Sequence, residues 1–169
     1  MNVSIGIDPG INGAIAAINA GSMEVLEVID TPVVTSDGKR LYDIGGIADA
    51  IRHMCLFGDA VVILEQAQAM PGQGVSSTFA TGRGFGIWEG VLSALDVPYR
   101  TIRPVVWTRK IFAGMSGEGK ARAIQFALRM FPGCELTPKG SRKPRDGRAD
   151  ALCLAIMGSR RSVIENHGR

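Results

Sequence analysis

The sequence predicts an α/β protein: a five-stranded mixed sheet, three antiparallel strands followed by parallel ones, flanked by helices. Three observations lead there. The runs "VSIGID" and "AVVILE" are the near-continuous apolar stretches of strands covered on both faces. Two further strand-like runs follow the first at hairpin spacing. Later strand-like segments alternate with stretches of helical period, the pattern of crossover units.

Taken in order, "VSIGID" is a buried strand closed by "PGINGA", whose proline and glycines mark a tight turn. "AIAAIN" and "MEVLEVID" continue the meander. From Asp43 to about Phe57, Ile44, Ile47, Ile51 and Met54 recur at helical intervals. "AVVILE" is the fourth strand, and the loop "QAQAMPGQG" leads into a long helix over roughly Ser77 to Leu95. The short strand "VPYRTI" comes next, then "PVVWTRKIF", to which no element is assigned. A helix over Gly119 to Met130, a basic loop and a last helix from Asp146 to near Ser159 complete the chain. No linker, repeat or low-complexity tract interrupts it. One domain over residues 1–160 and a flexible tail over 161–169 are expected. The first strand begins so early that no leader is expected before it.

The 169 residues suffice for a sizeable core, and 46% hydrophobic with 21% charged residues is ordinary for a globular protein. A net charge of +3 with a pI near 9.0 suits a polyanionic partner without demanding one. The three cysteines are scattered and lack CxxC spacing, which suggests reduced thiols in a cytoplasmic or other reducing compartment rather than a secreted protein. The apolar runs are too short to span a membrane. His53 and His167 have no partner at ligand spacing, so zinc is not indicated.

Four acids stand out. Asp8 and Glu65 each end an apolar strand, where α/β sites usually form. Asp8, before Pro-Gly, also suits a simple turn, whereas glutamate is a poor turn former. Asp146 and Asp150 share a helical face with Leu154 and Met157. A helix cap and an internal salt bridge are their bland alternatives. Carboxylates crowded together repel unless a cation sits among them. Four could hold a pair of Mg2+ ions roughly 3.5–4 Å apart, clamping the attacking water and the leaving oxygen of a phosphodiester.

In this order and spacing, "IGIDPGINGAIA", "VILEQ" and "GRADALCLA", with a glycine-rich helix between the last two, resemble the RuvC family of Holliday-junction resolvases. The resemblance runs from Val3 to about Met157. It implies a ribonuclease H-like fold, a homodimer, and Mg2+-dependent paired nicking of a four-way DNA junction, with Mn2+ as a substitute. It carries the catalytic and metal-binding acids onto Asp8, Glu65, Asp146 and Asp150. Lys120 matches a family lysine that lies near the scissile phosphate. Bacterial members commonly space the last two acids three apart; here Gly147 fills that slot. They often carry an aromatic two positions after "EQ", where this chain has Gln68, so it looks more like the phage or organellar branch.

Candidate DNA contacts are Gln68, Arg83, Arg109, Lys110 and the loop group Lys139, Arg142, Lys143, Arg145 and Arg148. A merely solvated basic loop is the alternative. Trp107 is assigned to the core. Gly82, Gly86 and Gly90 line one helical face, either against another backbone (a dimer mate or DNA) or packed on the chain's own sheet. Rival readings are a debranching or single-strand endonuclease of the same fold, a junction-binding module without chemistry, and an actin-like kinase. The kinase would need a second such domain.

Overall fold

The computed structural model describes residues 1–116 and 119–159, apart from the side chain of Lys120. The expectations for that side chain and for the tail therefore lie outside the described residues.

A central sheet has the order β3-β2-β1-β6-β7. Here β1 is Asn2–Asp8, β2 Ala14–Asn19, β3 Val25–Asp30, β6 Asp59–Glu65 and β7 Tyr99–Ile102. β1, β2 and β3 pair antiparallel, while β6 runs parallel to β1 and β7 parallel to β6. This is the expected mixed sheet of five strands.

Strand alternation divides the core. Val3, Ile5 and Ile7 point to one face with Val62 and Leu64. That face is covered by α1 (Ile44–Cys55) and α2 (Val75–Ala94) through Ile47, Ile51, Met54, Trp88 and Leu92. Ser4, Gly6 and Ile63 take the opposite face, beneath α5 (Asp146–Ser159). Outside α5 lie α3 (Pro104–Ile111), with Trp107 and Ile111, and α4 (Gly119–Met130), with Ala123, Phe126 and Ala127.

Local chemistry sets most boundaries. Asp43 caps α1, its carboxylate accepting from the Gly46 N–H at 3.0 Å. Pro104 opens α3, where its missing N–H costs nothing.

Two elements were not expected. α3 occupies the segment left unassigned. A separate hairpin, β4 (Val33–Ser36) with β5 (Lys39–Tyr42), precedes α1. Its turn puts Asp37 and Gly38 at φ 49° and 70°, the Asp-Gly signature of a tight hairpin. The apolar stripe expected on α5 is instead burial on every side, because α3 and α4 cover what would have been its solvent face. Of the described residues 147–158, Asp150 alone is partly exposed. No described helix is long and apolar enough to cross a membrane.

Candidate active site

The parallel register of β1 with β6 matches Ile7 to Leu64. One step further, Asp8 and Glu65 stand side by side at the carboxyl ends of adjacent strands, whose backbones lie about 4.7–4.9 Å apart. Alternation turns both toward the α5 face, the side of Gly6 and Ile63. Glu65 is held near pKa 7 by burial first and by the Asp8 charge second. The Trp107 indole N–H opposes this, donating to Glu65 Oε2 at 2.7 Å. Asp8 Oδ1 accepts from the Gly10 N–H at 3.0 Å, so the β1–β2 turn itself holds that carboxylate.

The head of α5 is pressed onto the same place. A Cβ on Gly147 would stand 2.6 Å from Asn12 O and 3.1 Å from Asp8 Oδ2. Only glycine lets the helix approach that closely. Asp146, in the first turn of α5, shares a cleft of about 470 Å³ with Asp8, Asn12, Gly13 and Arg145. A second cleft of about 570 Å³ is walled by Asp8, Glu65, Gln68, Met70 and Thr81. Asp8 therefore lies on the wall of both. Asp150 sits one turn beyond Asp146, and its charge, after burial, pushes the Cys153 thiol up.

No family model matches the chain, and no curated protein matches it in sequence. Solved structures do. Thermus thermophilus RuvC in complex with a Holliday junction substrate superposes with a TM-score of 0.65 at 18% identity, over 98% of this chain and 97% of that one. A second T. thermophilus RuvC structure gives 0.62 at 19%, over 96% of each chain. The yeast mitochondrial Holliday junction resolvase Ydc2 gives 0.54 at 14%, over 92% of this chain and 77% of that one. The chain has the RuvC fold.

On this RuvC fold, hard oxygen donors gather at the strand ends, chemistry that suits Mg2+. The described residues contain no group of three or more His, Cys, Asp or Glu placed as a ready-made ligand set. Mg2+ commonly takes one or two carboxylates and completes its shell with water and substrate phosphate, which the Asp8–Glu65 pair fits.

The DNA-contact candidates separate. Gln68, Arg83, Arg109, Lys110, Lys139, Arg142 and Lys143 are exposed. Arg145 is half-buried and bonds Asp30 Oδ2 at 3.2 Å. Arg148 corrects an expectation: it is turned inward rather than toward a DNA phosphate. Its side chain is 10% exposed, pairs with Asp30 Oδ1 at 2.8 Å and donates to Glu135 O at 2.8 Å. Its position on a covered side of α5 turns the guanidinium into the protein, toward Asp30 and Glu135.

Gly82, Gly86 and Gly90 meet nothing within 4 Å, which excludes packing against the RuvC fold's own sheet. Gly84, between them, lies against the Tyr42 hydroxyl instead. Sequence reasoning missed the bond from Trp107 to Glu65 and the contacts of Arg40 and Tyr42 with the Asp8-bearing turn. The "SDGK" turn was a legible signal for the hairpin; nothing in the sequence announces the indole–carboxylate bond.

Proposed function

We propose that this chain is a divalent-metal-dependent endonuclease that resolves four-way DNA junctions by paired, symmetric nicks made by a homodimer. The observation that supports it best is the Asp8–Glu65 pair at neighbouring strand ends, on the face where α5 brings Asp146 and Asp150. The structural neighbours of this fold, at low identity, are themselves Holliday-junction resolvases.

Asp8 and Glu65 would hold Mg2+, with Asp150 and Asp146 completing the acidic set. Mn2+ would serve in its place. When bound, the ion supplies an activated water and charge neutralisation at the phosphodiester. Trp107 fixes the Glu65 carboxylate and favours its ionised form. The exposed Lys139, Arg142 and Lys143 attract and register the phosphate backbone, as do Arg83, Arg109 and Lys110. Lys120 is assigned to the charge developing in the transition state. The open glycine face of α2 is the surface assigned to the second copy, whose backbone it would admit closely. Two active sites then face two strands.

A looser debranching or single-strand activity remains the second reading. It is favoured by Gln68, a polar residue on the exposed loop beside the acids, where an aromatic would wedge a junction open. The deciding assay compares four-way, three-way, flap and single-stranded DNA in Mg2+. Preference for the four-way substrate with two symmetric nicks is expected; equal rates on all four would favour the second reading. In the same assay Asp8→Asn should lose more than about 100-fold in rate, beyond the 10–100-fold typical of losing an outer-shell partner. Binding in Ca2+ should persist. Undiminished cleavage by Asp8→Asn would end the proposal.

A further inference from the structure

The β4–β5 hairpin contributes nothing to the central sheet, yet its side chains converge on the five-residue turn that follows Asp8. Arg40 Nη1 donates to Asn12 Oδ1 at 2.6 Å and Nη2 to Ile11 O at 3.0 Å. The Tyr42 hydroxyl donates to Pro9 O at 3.0 Å. Thr31, just ahead of the hairpin, donates Oγ1 to Gly10 O at 2.8 Å and its backbone N–H to Gly13 O at 3.0 Å. Inside the turn, the Gly13 N–H donates to Gly10 O at 2.8 Å. The carbonyls of residues 9, 10, 11 and 13 are thus all engaged. The turn ends by presenting the Gly10 N–H to Asp8 Oδ1.

A connection that only joins two strands needs none of this, because a tight turn closes on its own backbone bonds. Arg40 is exposed and spends its guanidinium on neutral acceptors of a loop, so its work there is geometric. Tyr42 is fixed in turn by Gly84 of α2, where any Cβ would collide with the hydroxyl. A carboxylate that must meet a metal and a phosphate has to be held within about 0.5 Å of its working place.

We infer that the hairpin is a positioning device for the Asp8 carboxylate, with Arg40 and Tyr42 as its positioning residues. This inference rests on the role proposed above for Asp8.

Amide hydrogen exchange by NMR and the Mg2+ dependence of junction cleavage test it together, in Arg40→Ala and Tyr42→Phe. Exchange at the Gly10 and Gly13 amides should quicken by about tenfold, while the Ile5 and Ile7 amides of β1 stay protected. The Mg2+ concentration for half-maximal cleavage should rise roughly tenfold, the lower edge of outer-shell effects, with junction binding in Ca2+ unchanged. Unaltered Gly10 and Gly13 exchange in both variants would overturn the inference. So would a general loosening that reaches Ile5 and Ile7 equally. Asp8→Asn is run alongside. If it cleaves like the parent, the functional reading fails whatever Arg40→Ala does. If it is inactive while Arg40→Ala behaves as the parent, the positioning role alone fails.

Discussion

Glu65 shows how one residue records the electrostatics of the whole strand-end cluster. Its folded pKa near 7 lies above the unfolded value of 4.5 because burial and the Asp8 charge penalise the carboxylate. The folded protein therefore keeps a proton that the unfolded chain releases. Stability associated with Glu65 is complete below about pH 4.5 and is lost as pH rises through about 7, by on the order of 3 kcal/mol. In EDTA, thermal stability should fall across that window, and Glu65→Gln should flatten the fall. An equal slope in the Gln variant would refute the assignment. Added Mg2+ should restore stability chiefly above pH 7. That Glu65 ends a strand was legible in the sequence. Its perturbation was not, since it depends on a neighbour 57 positions away and on an indole supplied by α3.

At the scale of elements, glycines that look alike in the sequence do opposite things. Gly6 on β1 faces Ala151 O and Ala155 N, so the strand and α5 touch backbone to backbone. Gly6→Ala must push α5 away and should destabilise by about 3 kcal/mol, the upper end for overpacking, in a denaturant titration. Gly86 meets nothing within 4 Å inside a long helix. Gly86→Ala should stabilise the dilute monomer by up to about 1 kcal/mol. A loss of comparable size in both variants would show that α2 has an intramolecular partner the fold does not display. Helical period found α1, α2, α4 and α5 within a few residues. α3 escaped because eight residues carry too little period to register. The hairpin escaped because β4 and β5 are only four residues each.

For the molecule as a whole, acids line the two clefts at the strand ends, with Arg145 beside them, while Lys139, Arg142 and Lys143 are exposed outside. If Lys139, Arg142 and Lys143 each neutralise one phosphate, replacing all three by Gln should flatten the salt dependence of junction binding. The log–log slope should drop by up to about 0.9 per residue. Arg148→Gln, which breaks the Asp30 and Glu135 contacts, should instead lower the melting temperature and leave that slope alone. An altered slope in Arg148→Gln with unchanged stability would return that residue to the DNA-facing group. Both sets come from one basic loop and its helix, and only burial separates them.

Local pattern was enough to locate the strand ends that carry Asp8 and Glu65, the head of α5 that carries Asp146 and Asp150, and the succession of the central strands along the chain. These follow from local periodicity and turn chemistry, which act over a few residues. Tertiary structure decided that Asp8 and Glu65 are neighbours, that Trp107 serves Glu65, that Arg148 is structural, and that Arg40 and Tyr42 grip the Asp8 turn. Each of those outcomes depends on strand register or on which helix covers which face. Such pairings arise between segments tens of residues apart, where local pattern carries no information.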